Sequence, residues 1–348
     1  MRLLTRWLWA RRSLTARAAR LVLLPPSLMY RAIMAFRARV YTQHLMPQAI
    51  PSAPTVAVGN LTVGGSGKTP IAAWIAQYYA GRGLTPGVVL RGYGGDEAVV
   101  HRGLVPGAIV VEHADRIRAA RQAVAEGADV VVLDDAFQRI DVARDLNVAV
   151  VSAESTRASP HTLPAGPWRE GWRALRRADL VVVTRKQAPF DVAKQVALRV
   201  RKTVPGAGLA IARLGIGGFR RLVSGDAVGL TALAGARVIA SAGIGDPDSF
   251  AAQCRALGAR VRLVPWPDHH RFTPRDVAHL LQSSSGVDYV VVTQKDAAKL
   301  KAHWPGDAPE PLVAGLDVAW EYGAETVESA LDVAAADVDE LLTDSTSP

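Results

Sequence analysis

Cysteine is almost absent from this chain of 348 residues, and its absence excludes one class of protein. The sequence contains a single cysteine, Cys254, so no internal disulfide can form and a secreted disulfide scaffold is excluded. A single cysteine also indicates a reducing cytoplasm. Cys254 follows Phe250 and precedes Leu257 at helical spacing, which favours a position in the core over a role as nucleophile.

Acidic residues are absent from the first quarter of the chain. No Asp or Glu precedes Asp96, whereas twelve Arg and Lys residues do. The net charge of the whole chain is +9, so the positive charge is concentrated before Asp96 and the remainder is net negative. Such an asymmetry predicts a polyanionic partner, either nucleic acid or an anionic membrane.

The basic segment also lacks a hydrophobic run long enough to span a bilayer. Its longest charge-free stretch runs from Leu21 to Tyr30 and contains two prolines, which is about half the length that a spanning helix requires. Arginines interrupt the apolar residues, which excludes a cleaved signal peptide. A transit peptide over residues 1–20 remains an alternative.

Apolar and aromatic side chains between the arginines favour a membrane over nucleic acid. After two prolines, Ser27 is predicted to cap a helix that has an apolar face of Met29, Ile33, Phe36 and Val40. An apolar stripe, tryptophans and arginines are typical of a helix that lies in the lipid interface. Residues 1–45 are therefore predicted to associate with an anionic membrane. A helix docked on the protein's own core is the alternative.

A phosphate-binding loop is the strongest motif in the chain. A short apolar strand begins at Thr55, and a glycine-rich loop follows and ends in Lys68-Thr69 before an apolar helix. Strand, glycine loop, Lys-Thr and helix are the parts of a P-loop. Thr62 occupies a position where the strict pattern has glycine, and the glycines lie later in the loop. The predicted phosphate ligands are Gly64, Gly65, Ser66, Gly67, Lys68 and Thr69, with the Thr69 hydroxyl on Mg²⁺.

Two carboxylates end a second apolar strand. The run from Ala128 to Leu133 is followed by Asp134 and Asp135. Carboxyl ends of parallel strands are where α/β sheets bind their ligands. Beside a P-loop, a carboxylate at this position is predicted to hold the metal together with Thr69, and either Asp134 or Asp135 could do so.

Strand and helix patterns alternate along the rest of the chain and predict a doubly wound, mostly parallel α/β sheet of the P-loop NTPase type. Strands are expected near 86–91, 108–112, 129–134, 147–152 and 179–184, with a helix at 190–203. A second α/β cycle begins with a strand at 237–242. The predicted segments are a membrane anchor (1–45), a nucleotide-binding domain (46–213), a hinge (214–226), a smaller lobe that contributes to the active-site cleft (227–335) and a flexible tail (336–348).

Seven short motifs follow one another along the chain. They are Val58 to Pro70, Arg91-Gly92-Tyr93-Gly94, Gly95-Asp96-Glu97, Asp134-Asp135-Ala136-Phe137-Gln138, Leu163 to Pro167 with Arg169-Glu170, Asp268-His269-His270-Arg271-Phe272, and Thr293-Gln294-Lys295-Asp296. In this order they resemble the tetraacyldisaccharide 4'-kinase family, which phosphorylates lipid A precursors. The resemblance extends from about residue 21 to residue 325.

The resemblance implies an enzyme that uses ATP and Mg²⁺ to phosphorylate the 4'-hydroxyl of a tetraacylated glucosamine disaccharide 1-phosphate. It implies a peripheral position on the cytoplasmic face of the bacterial inner membrane, and neither nucleic acid nor an obligate protein partner is expected. By resemblance, Asp96 and His269 are the pair that deprotonates the acceptor, and Lys68 assists catalysis. Gln138, Arg169 and Glu170 then lie near the nucleotide.

The chain also departs from the family pattern. Residues that the family has between its second and third motifs are missing here, and Gln294, Ala136 and Arg139 replace the usual Glu, Gly and His. Two alternatives follow. One is a membrane-recruited ATPase switch of the Min or arsenite-pump type, although Val63 occupies the position of the lysine that those proteins have. The other is a catalytically silent paralogue.

Overall fold

Apolar β-branched runs form the central strands, and loops at their carboxyl ends carry the motifs. The structure is a computed structural model that describes residues 7–9, 13–92, 96–155, 159–268 and 270–336. The chain divides into two compact units. The first unit comprises residues 1–91, 107–212 and 320–348, and the second comprises residues 92–106 and 213–319.

The first unit has a parallel sheet of six strands that continues into a seventh. These strands are β1 (Thr55–Asn60), β2 (Pro86–Leu90), β3 (Ile109–Glu112), β4 (Val130–Leu133), β5 (Leu146–Ser152), β6 (Leu180–Arg185) and β7 (Gly208–Arg221). Their order is β7-β6-β5-β1-β4-β2-β3. The pairs from β6 to β3 are all parallel. All of these strands from β1 to β6 except β3 are buried along nearly their whole length, so their continuous apolar sequences are what a sheet covered on both faces requires.

Helices of the first unit precede, connect and follow its strands along the chain. They are α1 (Leu14–Val22), α2 (Leu24–Thr42), α3 (Lys68–Gly81), α5 (Arg116–Ala125), α6 (Phe190–Thr203) and α10 (Ala324–Ala334), with a 3₁₀ helix at Trp172–Arg177. The apolar core lies on the two faces of the sheet.

The second unit is a smaller α/β arrangement with its own core. Its strands are ordered β10-β9-β11-β12-β7, with β8 beside β7. They comprise β8 (Ala227–Val228), β9 (Arg237–Ala242), β10 (Arg260–Pro265), β11 (Tyr289–Thr293) and β12 (Leu312–Tyr322). The helices are α4 (Asp96–Leu104), α7 (Pro247–Ala256), α8 (Pro274–Ser283) and α9 (Gln294–Leu300), with 3₁₀ helices at Leu230–Leu233 and Lys301–His303. Cys254 is fully buried in this core, as predicted.

The predicted alternation of strands and helices is confirmed, and the helix predicted at 190–203 is α6. The segment 214–226 differs from the prediction, because β7 continues to Arg221 and most of the segment is therefore strand instead of a hinge loop. A Cβ at Gly217 would lie 2.6 Å from the Cβ of Asp317, so this glycine permits a close approach between β7 and β12. The predicted tail beyond residue 336 lies outside the described residues.

The N-terminal helices begin differently from the prediction at Ser27. Helix α2 starts at Leu24, three residues before Ser27, with Pro25 in its first turn, where proline's missing N–H costs nothing. Ser27 is buried within the helix, and its hydroxyl donates to the Thr162 carbonyl at 3.0 Å. Ser27 therefore docks the helix instead of capping it.

No single helix in the described part of the chain is long and apolar enough to cross a membrane. Helices α1 and α2 meet that criterion only when they are taken together, and they are bent by 51° relative to each other.

Candidate active site

The P-loop connects β1 to α3 and adopts the conformation that its glycines permit. Gly64 has a φ of 118° and Gly67 has a φ of 91°, a region that favours glycine. Thr62 needs no such freedom, because it forms a β-bridge with Trp168. Val63 also donates its backbone N–H to the Pro167 carbonyl at 2.8 Å. The departure from the strict glycine pattern at Thr62 is therefore compatible with the loop.

Side chains outside the loop bind its carbonyl groups. The amide of Asn60 donates to the Ser66 hydroxyl at 2.6 Å and to the Thr62 carbonyl at 2.7 Å. The Thr184 hydroxyl donates to the Ser66 carbonyl at 2.7 Å, and the Lys186 ammonium donates to the Gly65 carbonyl at 3.1 Å. These side chains hold the loop in a fixed conformation by binding its carbonyls, and in such a loop backbone N–H groups can bind phosphate oxygens. The predicted ligands Gly64, Gly65, Ser66, Gly67, Lys68 and Thr69 all belong to this loop and the first turn of α3.

Asp135 faces the P-loop lysine. Strands β1 and β4 are parallel neighbours, so the residues that follow them meet at one edge of the sheet. The Lys68 Nζ lies 3.5 Å from Asp135 Oδ1. Asp135 has a φ of 53°, and His44 is the one other described residue besides the glycines with a positive φ. An outlier of this kind is maintained by its surroundings and is common at functional sites.

The Asp134 side chain helps to hold the turn that carries Asp135. Its side chain is buried, and its Oδ1 accepts the backbone N–H of Asp135 at 2.7 Å. The carbonyl of Asp134 accepts from the Arg116 guanidinium at 3.2 Å. The two predicted metal-binding carboxylates therefore differ: the structure brings Asp135 to Lys68 and uses an oxygen of Asp134 to hold the turn.

Arg169 and Gln138 complete the cluster around Asp135. Arg169 donates to both oxygens of Asp135, at 2.9 and 3.2 Å, and to the Gln138 Oε1 at 3.2 Å. Gln138 in turn donates to the Asn60 carbonyl at 2.8 Å and to Glu170 at 3.3 Å. The structure thus brings together Lys68, Asp135, Gln138 and Arg169, four residues that sequence reasoning had assigned to one site.

Glu170 has a different role from its neighbour. Both of its carboxylate oxygens accept from Arg177, at 2.8 and 2.9 Å, and both side chains are largely buried. A buried ion pair of this kind fixes the position of Glu170. Glu170 accepts from Gln138, and Gln138 in turn accepts from Arg169.

A cavity of about 360 Å³ opens beside Asp135 and is lined mainly by arginines. Arg116 donates to backbone carbonyls there, and burial lowers its pKa to about 10 despite the opposing charges of Asp134 and Asp135. Several guanidinium groups beside one carboxylate favour an anionic ligand with phosphate geometry. The lining residues are Arg37, Arg91, Ala114, Arg116, Asp135, Gln138, Arg139 and Arg169.

The sequence did not reveal this cavity as a site. Arg37 was counted only among the basic residues of the membrane segment, yet it donates to the Gln138 carbonyl at 3.0 Å. Arg37 and Arg139 both pair with Asp141, at 3.4 and 2.7 Å. The replacement of the family's usual histidine by Arg139 was the one available signal.

The predicted acceptor-activating pair is only partly described. Asp96 is the first residue of α4 in the second unit, but its side chain lies outside the described residues, as does His269. Next to Asp96, Glu97 pairs with Lys295 at 3.5 Å. The His270 Nε2 lies 3.2 Å from Asp276 Oδ2. The roles of Asp96 and His269 stay predictions from the resemblance.

The residues are chemically suited to a magnesium ion. Among the described residues, no three His, Cys, Asp or Glu side chains lie close enough together to form a metal cage. Mg²⁺ in nucleotide sites needs no such cage, because one or two carboxylates, a hydroxyl and the phosphates suffice. Thr69, Asp134 and Asp135 offer this set of donors.

Comparisons with known proteins identify the family. The sequence profile of tetraacyldisaccharide-1-P 4'-kinase, LpxK, matches residues 19–103 and 94–335. The tetraacyldisaccharide 4'-kinase of Anaeromyxobacter sp. strain K is 36% identical over 334 residues, with 88% of each chain covered. That of Geobacter sulfurreducens is 35% identical, with 82% of this chain and 86% of the relative covered.

A solved structure agrees with the sequence relatives. LpxK from Aquifex aeolicus, crystallised in complex with ATP, is 25% identical and superposes with a TM-score of 0.71 over 91% of this chain and 99% of that chain. The fold, the P-loop cluster and the sequence matches lead to one conclusion. This chain belongs to the tetraacyldisaccharide 4'-kinase family.

Proposed function

We propose that this protein transfers the γ-phosphate of ATP to the 4'-hydroxyl of a tetraacylated glucosamine disaccharide 1-phosphate. The observation that carries the proposal is the contact of Lys68 with Asp135 at the edge of the sheet, 3.5 Å apart. A P-loop lysine opposite a strand-end carboxylate is the arrangement that binds a nucleoside triphosphate with its metal.

The cluster around Asp135 supplies the charges that phosphoryl transfer requires. Lys68 and Arg169 lie on the same carboxylate, so both cations can stabilise charge that develops on the phosphoryl oxygens. Thr69, Asp134 and Asp135 would hold Mg²⁺, which neutralises phosphate charge when it is bound. Gln138 keeps Arg169 in place by accepting its hydrogen bond, and Gln138 is itself bound to Glu170, which pairs with Arg177.

The arginine-lined cavity supports an anionic acceptor. It shares Asp135, Gln138 and Arg169 with the nucleotide cluster, so a phosphorylated acceptor bound there lies close to the transferring group. Bidentate guanidinium contacts suit the 1-phosphate of the disaccharide. Asp96 and His269 are proposed to take the proton of the 4'-hydroxyl as it attacks.

Transfer of label from γ-labelled ATP to a tetraacyl disaccharide 1-phosphate in detergent micelles tests the proposal. We expect Mg²⁺-dependent formation of a product labelled on the disaccharide. ATP hydrolysis or ATP-dependent dimerisation without a labelled lipid would instead support the ATPase switch, and the absence of turnover with intact ATP binding would support a silent paralogue.

We also propose that residues 1–45 hold the enzyme on the cytoplasmic face of the inner membrane as a peripheral protein. In α1 and α2 a series of large apolar side chains is exposed, among them Phe36 at 71%. A surface of this kind on a monomer indicates a membrane or partner site. The exposed residues are Leu14, Leu21, Val22, Leu28, Met29, Ile33 and Phe36.

Charged substitutions on α2 are expected to release the protein from vesicles. Ile33→Asp combined with Phe36→Asp should lower co-sedimentation with anionic phospholipid vesicles by about tenfold or more, because two exposed apolar groups proposed to enter the lipid are replaced by charges that anionic lipid repels. Leu198→Asp is the matched control, since Leu198 is an equally exposed apolar residue on α6. Unchanged sedimentation of the double variant would contradict the proposed anchor.

A further inference from the structure

Lys186 is an unassigned cation that lies on the P-loop. Its ammonium donates to the Gly65 carbonyl at 3.1 Å. Two residues earlier, Thr184 donates to the next carbonyl of the loop, that of Ser66, at 2.7 Å. Thr184 lies near the end of β6 and Lys186 directly follows its last residue, Arg185, so the end of β6 and the turn after it deliver both side chains to the loop.

The sheet order shows which end of a nucleotide meets Lys186. The strands run β6-β5-β1-β4, so the turn after β6 and the turn after β4 lie on opposite sides of the P-loop that follows β1. Lys68 and Asp135 are on the β4 side, and a P-loop lysine binds the terminal phosphates. The opposite side, where Lys186 lies, is therefore the side on which the nucleoside leaves the triphosphate.

The turn that carries Lys186 is built around one carboxylate. Glu154 Oε1 accepts the backbone N–H groups of Lys186, Gln187 and Ala188, at 2.7, 2.9 and 3.0 Å. Its other oxygen accepts the Ser152 hydroxyl at 2.8 Å. Burial opposes ionisation of Glu154, but these hydrogen bonds outweigh burial and hold its pKa below the usual value.

The Glu154 carboxylate binds backbone N–H groups, and the Lys186 ammonium binds the Gly65 carbonyl. A cation bound to a carbonyl retains its full charge and can still contact a ring or a ribose oxygen. The fixed turn also limits how far Lys186 can move. The position is thus suited to ligand binding more than to stabilisation of the fold.

We infer that Lys186 forms part of the adenosine subsite, with its side chain against the base and ribose of ATP while Lys68 holds the terminal phosphates. The inference rests on the nucleotide binding in the proposed function and adds a specificity-determining residue to it. It does not depend on the identity of the phosphoryl acceptor.

Calorimetric titration of the full chain with Mg²⁺-ATP and, separately, with Mg²⁺ and inorganic tripolyphosphate distinguishes the two ends of the site. Lys186→Met keeps most of the stem and removes the charge. We expect this variant to bind ATP about tenfold more weakly, the effect of one cation–π contact, and to bind tripolyphosphate as the unaltered protein does. Lys186→Arg keeps the cation and should retain ATP affinity.

Three comparisons make the outcome decisive. If Lys186→Met weakens the binding of ATP and of tripolyphosphate equally, Lys186 is a phosphate ligand and the inference is overturned. Unaltered ATP binding in this variant would overturn it as well. Lys194→Met, at an exposed lysine on α6, is the control for loss of a surface charge. Lys68→Ala should weaken both ligands; if it weakens neither, the nucleotide site itself is wrong, which is separate from a failure of Lys186.

Discussion

Lys68→Ala is expected to lower kcat/KM for phosphoryl transfer by roughly a thousandfold, the scale of removing a charge that stabilises the transferring phosphoryl group. Lys68 begins helix α3 directly after the P-loop, and its ammonium lies at 3.5 Å from Asp135. In the variant the terminal phosphates lose their cation and Asp135 loses one of its two basic partners. Both changes act on the transition state.

Initial rates with labelled ATP and the lipid acceptor in micelles measure this effect. Lys194→Ala is the matched control, because Lys194 is an exposed lysine of the same unit that pairs only weakly with Asp191, at 3.5 Å. Thermal unfolding of both variants should show that each remains folded. Turnover of Lys68→Ala within about tenfold of the unaltered enzyme would contradict the assignment of the loop.

Asp135→Asn is expected to reduce kcat by about a hundredfold and to raise the Mg²⁺ concentration that gives half-maximal rate. The amide has nearly the same volume as the carboxylate but carries no charge. It therefore leaves Lys68 and Arg169 without the acid that lies between them. A neutral oxygen is also a poorer ligand for a hard cation than a carboxylate.

A titration of rate against Mg²⁺ separates Asp135 from Asp134. One oxygen of Asp134 accepts the backbone N–H of Asp135, whereas Asp135 lies 3.5 Å from Lys68, so we expect Asp135 to be the residue that responds. Asp332→Asn is the control, since Asp332, which lies on α10, forms a partly exposed ion pair with Arg82. An unchanged Mg²⁺ dependence in Asp135→Asn would exclude Asp135 from the metal set and leave Asp134.

Two sequence departures, one from the strict P-loop pattern and one from the family, lie near the nucleotide cluster. Thr62 is held by a bridge to Trp168 in place of a glycine turn, so this departure leaves the loop intact. Arg139 is bound to Asp141 and adds a guanidinium to the arginine-lined cavity. We therefore expect the departure at Arg139 to affect acceptor preference more than nucleotide binding.

Local patterns were sufficient to predict the elements and the nucleotide cluster. The alternation of apolar runs and amphipathic helices reflects short-range periodicity, and the P-loop and Asp134-Asp135 are compact motifs at strand ends. Because neighbouring parallel strands end at the same edge, the meeting of Lys68 with Asp135 followed from the fold class alone. Two local predictions were wrong because tertiary packing determines the role of the residue. The segment predicted as a hinge is mostly strand, and its Gly217 permits a close contact between strands. Ser27, predicted to cap a helix, lies within the helix and docks it.

By itself, the amino-acid sequence determined that this chain binds a nucleoside triphosphate on an α/β sheet and that its N-terminal segment is basic and amphipathic. Only the tertiary structure revealed the cavity in which Arg37, Arg91, Arg116, Arg139 and Arg169 converge, and the turn on which Glu154 places Lys186 against Gly65. These residues are far apart in the chain and share no periodicity. Their proximity is a consequence of strand order and long-range packing, which no local pattern encodes.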